Sequence, residues 1–212
     1  MSTFYPAVAF LMSDFPIALH AERVGVLVIG GGSVGSRKAL ALAEAGASVQ
    51  VISPIVSREL EEAERLRGVT IVREVYHARH LDQATFVVAA TDSREVNAQI
   101  AVDANSRGKL VNITDYPDEG NFHTMALHRS GDVTIAVSAG GVPGAAARIR
   151  DAIAERFDGR YERAVSALRG LRSRLIAGGD DRWRAAAPKL IGDDFCRSVE
   201  DGSLSEKVDS WR

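Results

Sequence analysis

The feature that most constrains this chain is a glycine-rich turn between an apolar run and an Ala/Leu-rich run. Val26–Ile29 are four apolar residues, three of them β-branched, which predicts a buried strand. A helix is predicted over Lys38–Ala45, and a second strand over Ser48–Ile52. The turn between the first strand and the helix matches G-x-G-x-x-G at Gly30, Gly32 and Gly35. The chain therefore contains a complete β-α-β unit with glycines at its first turn.

Each glycine of this turn has its own physical role. Gly30 permits the tight bend, Gly32 lets a ligand approach the backbone, and Gly35 lets the helix pack closely on the strand. The free N–H groups at the helix start then face an anionic ligand. Because the motif lies between a predicted strand and a predicted helix, it indicates a dinucleotide pyrophosphate site. The alternative is a glycine-rich turn without a ligand.

Strands and helices continue to alternate up to Ile113. We expect Ser53-Pro54 to end the second strand, since proline cannot donate to a strand ladder. Further helices are predicted over Arg58–Arg67 and Glu95–Ser106, and strands over Val69–Val72, Thr85–Ala90 and Leu110–Ile113. This alternation predicts an α/β fold with a Rossmann-type, doubly wound parallel sheet.

The pattern changes after Asp115. Phe122–Leu127 and Val133–Val137 predict an antiparallel ribbon, and apolar residues then recur at helical spacing. We expect an NAD-binding Rossmann domain over residues 1–113. A small dimerisation and active-site element over 114–147 and a helical domain over 148–212 follow it.

Composition and termini narrow the class of protein. The formal net charge of -2 gives no reason to expect nucleic acid or an anionic membrane as a partner. No apolar run approaches the roughly 20 residues that span a bilayer. Met1–Leu11 lacks a basic n-region, and Cys196 is the single cysteine, so we expect a cytoplasmic protein without a disulfide. In the lead-in, Tyr5, Phe10 and Phe15 are expected to pack on the sheet.

Two strand ends carry candidate cofactor contacts. Dinucleotide-binding folds usually place an Asp or Glu at the end of the second strand, where this chain has Ser53-Pro54. A nearby arginine for a 2′-phosphate is also missing, so NAD is the expected cofactor without its usual discriminating acid. Thr91, after the fourth strand, is expected to line the cofactor cleft. Asp92 is expected to be the N-cap residue of the next helix or a turn residue before it.

Two further polar residues follow the fifth strand. Asp115 lies at the same sheet edge as the glycine turn, where a carboxylate can act as a general base. Its alternative role is that of a turn former, because Asp-Tyr-Pro-Asp is rich in turn residues. His123 is a candidate for proton transfer or metal binding, and the alternative is a hydrogen-bonded structural histidine.

Several segments, in this order, together resemble one family. They are Gly30–Lys38, Val51–Pro54, Ala89–Asp92, Val111–Asp115, Asn121–His123 and Ala136–Gly141. By these segments the chain resembles the precorrin-2 dehydrogenase / sirohydrochlorin ferrochelatase family, which includes the corresponding module of siroheme synthase. The resemblance covers about residues 1–160.

The resemblance implies a homodimeric enzyme that oxidises the tetrapyrrole precorrin-2 to sirohydrochlorin with NAD+. Many members also insert Fe2+ to give siroheme, and Co2+ is a second candidate metal substrate. Asp115 matches the family's essential aspartate, which implies a catalytic role in both steps and a transient contact with the metal. The positions of cofactor contacts in the family correspond to Ser33, Val34, Pro54 and Ile55.

The resemblance also implies substrate contacts at His123 and in the loop that contains Ser138, Gly140 and Gly141. Relatives have a hydroxyl residue where this chain has Ala139, and a Ser-Pro pair that is absent here; both bear on substrate binding and metal insertion. Of the nearby basic residues, Arg37 is the one we expect to meet substrate carboxylates. Two alternatives stay open: an NAD(H)-binding regulatory module without catalysis, and a metallochelatase that has lost the dehydrogenase step.

Overall fold

A computed structural model describes residues 14–178 and 182–211 of the chain. The chain forms two compact units, of which the first ends at His123 and the second is Thr124–Arg212. The three-part division expected from the sequence stays a prediction. The expected packing of Tyr5 and Phe10 lies outside the described residues, and Phe15 is 86% exposed, so its predicted packing on the sheet is wrong.

The first unit is built on a five-stranded parallel sheet, which confirms the predicted fold class. Its strand order is β3-β2-β1-β4-β5. The strands are β1 (Gly25–Gly31), β2 (Ser48–Val56), β3 (Thr70–Val72), β4 (Phe86–Ala89) and β5 (Leu110–Ile113). The helices are α1 (Ser33–Glu44), α2 (Arg58–Leu66) and α3 (Arg94–Ser106). The chain runs outward in both directions from β1, so the carboxyl ends of β1 and β4 flank the topological switch point.

Alternating side chains of the central strands divide the core into two layers. Val26 and Val28 of β1 pack with α1 and α2, where Leu60 is fully buried. Leu27 of β1 points to the opposite face and packs with α3, where Ile100 is fully buried. Because both faces of the sheet are covered, the strands are almost continuously apolar, as is typical of a parallel sheet.

Helix α1 begins at Ser33 rather than at the predicted Lys38. Gly32 is the extended N-cap residue, and the Ser36 N–H donates to the Gly32 carbonyl oxygen at 2.9 Å. The apolar periodicity of the sequence begins only after this first turn. The periodicity therefore did not predict the first helical residues. The earlier start brings the helix N-terminus directly onto the glycine turn.

Strand β2 continues through Pro54 to Val56, so the prediction that Ser53-Pro54 ends it is wrong. The pairing with β3 stops at Ile52, and the pairing with β1 skips from Ile52 to Val56. Pro54 therefore lies in a ladder irregularity, where its missing N–H is not needed.

The second unit combines a two-stranded antiparallel sheet with helices. Its elements are β6 (Ala126–Ser130), β7 (Val133–Val137), α4 (Pro143–Arg156), α5 (Gly159–Ala177), α6 (Arg182–Leu190), α7 (Phe195–Glu200) and α8 (Ser203–Asp209). Leu168 and Leu171 of α5 lie in its core with Leu204 of α8. The first strand begins later than predicted, because Phe122 packs on Phe86 in the first unit, with ring centroids 4.9 Å apart. Within the described residues, no helix is long and apolar enough to cross a membrane.

Candidate dinucleotide-binding site

Two of the motif glycines are required by close backbone contacts. Gly30 has φ +111°, and a Cβ there would lie 2.2 Å from the Ala90 carbonyl oxygen. A Cβ at Gly35 would lie 2.0 Å from the carbonyl oxygen of Gly30. The turn therefore packs against both β4 and the first turn of α1, and a side chain at either position would displace backbone.

Gly32 differs from its neighbours because nothing lies within 4 Å of a Cβ built on it. This glycine caps α1 with an extended backbone and provides no side chain that could accept a hydrogen bond from the first turn of α1. The open space in front of Gly32 therefore coincides with the free N–H groups of a helix start, a combination that suits a pyrophosphate.

A partly buried hydroxyl pair holds the glycine turn against α2. The Ser36 Oγ lies 2.7 Å from the Gly32 carbonyl oxygen and 2.9 Å from the Ser57 Oγ. Ser57 is also the N-cap residue of α2, and its hydroxyl accepts from the Leu60 N–H at 3.3 Å. One hydrogen-bond network thus orders the two helix starts that flank the end of β2.

The glycine turn opens into a cleft of about 550 Å³. The cleft is lined at the ends of β1, β2, β3 and β4 by Ile29–Gly32, Ile52–Ser57, Glu74–Tyr76, Ala90–Ser93 and Val96. Of the residues predicted as cofactor contacts, the cleft brings together Gly30, Gly32, Ser53, Pro54, Ile55 and Thr91. Gly35 lies beneath the turn in contact with Gly30.

Ser33 and Val34 are not part of this cleft lining. Ser33 lines a second hollow of about 420 Å³ together with Arg37 and Glu44. Val34 is 37% exposed at the start of α1. Their roles as cofactor contacts remain predictions, as does the expected contact between Arg37 and substrate carboxylates. Next to Arg37, partial burial lowers the pKa of Lys38, and the neighbouring Arg37 charge adds to this effect.

Residues at the end of β2 contribute shape rather than charge. The Ser53 side chain is 7% exposed, and its hydroxyl donates to the Ile55 carbonyl oxygen at 2.6 Å. Ser53 has the polar side chain of the Ser53-Pro54 pair, and its hydroxyl proton is used in this hydrogen bond. Ile55 is 81% exposed at the cleft, where an apolar side chain can cover one face of a planar ring.

A buried amide fixes the turn between β4 and α3. Asn97 is fully buried, and its Oδ1 accepts from the Thr91 hydroxyl at 2.8 Å and the Thr91 N–H at 3.2 Å. Its Nδ2 donates to the Thr91 carbonyl oxygen at 3.0 Å. Of the two roles expected for Asp92, that of N-cap is wrong, because Ser93 caps α3 by accepting from the Val96 N–H, and Asp92 lies at a bend before the helix. Asp92 instead lines the cleft as a second carboxylate besides Glu74.

Asp115 lies two residues after the end of β5 and is exposed. Ala89 of β4 pairs with Ile113, and the Thr114 N–H donates to the Ala89 carbonyl oxygen at 3.0 Å. The carboxyl ends of β1, β4 and β5 are therefore level. Since neighbouring strands are about 4.8 Å apart, the end of β5 lies about 10 Å along the sheet edge from the glycine turn.

The loop that follows Asp115 is tied down on both sides. The Arg94 guanidinium lies 5.1 Å from the centroid of the Tyr116 ring, and Arg94 also forms an ion pair with Glu119. Asn121 bonds to β5 in both directions: its N–H donates to the Val111 carbonyl oxygen at 2.9 Å, and its Oδ1 accepts from the Val111 N–H at 2.8 Å. The backbone after β5 is thus held in place while the Asp115 carboxylate is exposed.

The predicted substrate contacts divide between the two units. His123, at the end of the first unit, lies 3.5 Å from the Asp14 carboxylate and has a side chain that is 40% exposed. Ser138, Gly140 and Gly141 belong to the second unit, where both glycines have positive φ, of 55° and 79°. Within residues 14–178 and 182–211, no three His, Cys, Asp or Glu side chains converge as a metal site. The substrate and metal roles of these residues and of Asp115 stay predictions.

Sequence reasoning missed three contributors to the cleft region: Asn97, Asn121 and the segment Glu74–Tyr76. Asn97 is a polar residue on the otherwise apolar buried face of α3, which is a detectable signal. The role of Glu74–Tyr76 depends on β3 lying beside β2, an adjacency that no local pattern encodes.

These observations define the class of protein. A parallel sheet with its switch point between β1 and β4, a glycine turn that opens onto that point, and a helix start with free N–H groups are the features of a dinucleotide-binding protein.

Comparisons with known proteins give the family. The model of a family described as "Putative NAD(P)-binding" matches residues 17–126, more than half of the chain. The chain belongs to this family, as expected from the sequence, and a nicotinamide dinucleotide is thereby confirmed as the class of cofactor.

The chain is similar in sequence to curated siroheme synthases. That of Tolumonas auensis is 31% identical over 182 residues, which cover 86% of this chain and 36% of the relative. That of Chromobacterium violaceum is 33% identical over 199 residues, which cover 93% of this chain and 41% of the relative. The chain thus spans about two fifths of the length of these relatives.

A solved structure shares the fold over most of the chain. SirC, a precorrin-2 dehydrogenase, aligns with a TM-score of 0.75 and 24% identity, over 93% of this chain and 100% of SirC. At this level of identity the likeness is one of fold.

Proposed function

We propose that this chain is an NAD-dependent dehydrogenase that oxidises precorrin-2 to sirohydrochlorin. The observation that carries the proposal is the glycine turn, which opens onto the switch point of the sheet two strands from the exposed carboxylate of Asp115. The siroheme synthase relatives and the fold shared with a precorrin-2 dehydrogenase favour this substrate among those of dinucleotide-dependent enzymes.

The cleft residues fit the proposed cofactor. Gly32 leaves room for the pyrophosphate at the start of α1, and Ile55 offers an apolar surface to a ring. Thr91, which Asn97 holds in place, lines the cleft together with the glycine turn. When bound, the nicotinamide supplies the hydride acceptor for the oxidation.

Asp115 is the proposed general base. Dehydrogenation of the saturated bridge of precorrin-2 requires loss of a hydride and of a proton. An exposed carboxylate oxygen at the end of β5 can take the proton while the substrate occupies the crevice at the sheet edge. Its anchored backbone favours this role, because a base must hold its position relative to the substrate.

Metal insertion is the second step that the proposal includes, with Fe2+ or Co2+ as a substrate. Insertion displaces two pyrrole N–H protons, which the same exposed carboxylate can accept one after the other if it releases each to solvent. A carboxylate binds such an ion more weakly than a thiolate does, which suits transient contact. The proposed substrate loop has Ala139 at the position where relatives have a hydroxyl residue. Metal insertion by this chain would therefore proceed without that hydroxyl group.

The proposal also includes a homodimer and a cytoplasmic location. Leu127, Val142 and Ile149 of the second unit are large apolar side chains with 43–57% exposure, as is typical of residues that a partner copy covers. The location follows from the need for a cellular supply of NAD. Light scattering at micromolar concentration tests the dimer, and a monomer would contradict it.

The experiment is an anaerobic incubation of the purified chain with enzymatically made precorrin-2 and NAD+, followed by addition of Fe2+. We expect formation of NADH together with sirohydrochlorin. Siroheme formation faster than in a no-enzyme control would add the chelatase step. Binding of NAD+ without any NADH, where a characterised precorrin-2 dehydrogenase turns over, would overturn the proposal in favour of a regulatory module. Siroheme formation from supplied sirohydrochlorin, again without NADH, would favour a chelatase that has lost the first step.

A further inference from the structure

The cleft lacks its usual ribose-binding acid at the end of β2, and a different strand end provides a carboxylate. Dinucleotide-binding folds hold the adenosine ribose with an Asp or Glu after the second strand. Here Ser53 and Pro54 occupy that position, and the Ser53 hydroxyl is used within its own turn. The strand order places β3 beside β2, and Glu74, two residues after β3, lines the same cleft.

Hydrogen bonds orient the Glu74 carboxylate. Its Oε2 accepts from the Arg79 guanidinium at 3.0 Å and lies 3.3 Å from the His80 Nε2. These two contacts, that with Arg79 first, hold the pKa of Glu74 below its ordinary value, so the group is ionised at neutral pH. Its Oε1 receives no hydrogen bond from the described part of the chain. That oxygen is available to accept from a ribose hydroxyl.

The charges around the cleft disfavour a second phosphate. Among the described residues that line it, none is Lys, Arg or His, and the two carboxylates are those of Glu74 and Asp92. The nearby Arg79 and His80 are directed at Glu74 Oε2 rather than at the cleft. A 2′-phosphate carries about two negative charges and would meet the Glu74 carboxylate, while the neighbouring Arg79 guanidinium is already engaged by Glu74 Oε2.

We propose that Glu74 selects NAD over NADP, by accepting a hydrogen bond from the adenosine ribose and by repelling a 2′-phosphate. This inference rests on the proposed function, because it assumes that the cleft binds a nicotinamide dinucleotide. It assigns to the end of β3 the discrimination that the end of β2 performs in other proteins of this fold.

The test is isothermal titration of the full chain with NAD+ and, separately, with NADP+. Glu74→Gln removes the charge but keeps an oxygen acceptor. Because the Glu74 side chain is exposed, we expect the variant to fold, and a thermal melt checks this. We expect wild-type protein to bind NAD+ at least about tenfold more tightly than NADP+, and Glu74→Gln to reduce that ratio at least about fivefold, chiefly by tighter NADP+ binding. Glu61→Gln is the matched control, because Glu61 is also exposed and paired with an arginine, Arg73, but does not line the cleft.

An unchanged ratio in Glu74→Gln, with an unchanged melting temperature, would overturn the assignment of Glu74 while leaving the dehydrogenase proposal intact. Equal binding of the two dinucleotides by the wild-type chain would do the same. Failure of the folded wild-type chain to bind either dinucleotide would overturn both proposals. The readout is affinity, so these results do not depend on turnover.

Discussion

Replacing Gly32 or Gly35 by alanine should separate ligand binding from folding within one motif. A Cβ at Gly35 would lie 2.0 Å from the Gly30 carbonyl oxygen, and Gly30 itself cannot retreat because it packs against Ala90. Overpacking of this kind costs about 1–3 kcal/mol. For a chain of this length the melting temperature of Gly35→Ala should therefore fall by about 2–12 °C.

Gly32→Ala should behave in the opposite way. Its φ of -74° and ψ of -175° suit any residue, and a Cβ there meets nothing within 4 Å. The weaker N-cap of alanine and the reduced entropy of the unfolded chain nearly offset each other, so stability should change by less than about 1 kcal/mol. Affinity for NAD+ should nevertheless fall at least about tenfold, because the methyl group occupies the space in front of the helix start.

Differential scanning calorimetry and isothermal titration with NAD+ measure the two effects on the same samples. Wild-type affinity in Gly32→Ala would refute the inference that the pyrophosphate approaches this backbone. A wild-type melting temperature in Gly35→Ala would refute the steric argument for the third glycine.

Three further predictions concern other parts of the chain. Asn97→Leu should destabilise the fold by about 1–3 kcal/mol and weaken NAD+ binding, because the backbone N–H and C=O of Thr91 both lose their hydrogen-bond partner. Urea unfolding and calorimetric titration with NAD+ measure the two effects, and an unchanged stability and affinity would contradict the prediction. Asp115→Asn should keep NAD+ affinity within about twofold but lower the turnover of precorrin-2 at least about 100-fold, whereas a loss of affinity with normal turnover would point to a cofactor contact instead. In the second unit, hydrogen bonds from Arg156 and then Tyr161 lower the pKa of Glu200, so its contribution to stability is present above the ordinary pKa of 4.5 and is lost as the pH falls further. The urea midpoint should therefore fall less steeply with acidification in Glu200→Gln than in wild-type protein, and parallel curves would exclude this contribution.

Local sequence was sufficient to predict the elements that form the cofactor cleft. The β1 strand, the glycine turn and the ends of β4 and β5 all follow from apolar runs bounded by glycine and polar residues. The errors fell at boundaries where pairing overrides local preference. Pro54 is accommodated in β2 because the neighbouring ladders skip it, and α1 begins at a first turn without apolar periodicity.

Several features of the site required long-range contacts. The Asn97 amide has its role only because α3 packs back on the end of β4, and Asn121 only because the loop after β5 returns along that strand. Both residues are polar groups whose partners lie on another segment, so spacing along the chain does not reveal what they hold.

The sequence by itself determined the class of fold and the approximate location of the cofactor site, since periodicity and three glycines are properties of short segments. Only the tertiary structure decided which strand ends meet around the cleft. The parallel order β3-β2-β1-β4-β5 joins residues distant in the chain and brings Glu74 beside the end of β2, where Ser53 and Pro54 provide no carboxylate. The physical reason is that a parallel sheet orders its strands by the crossovers that bury both of its faces, and local sequence does not specify that order.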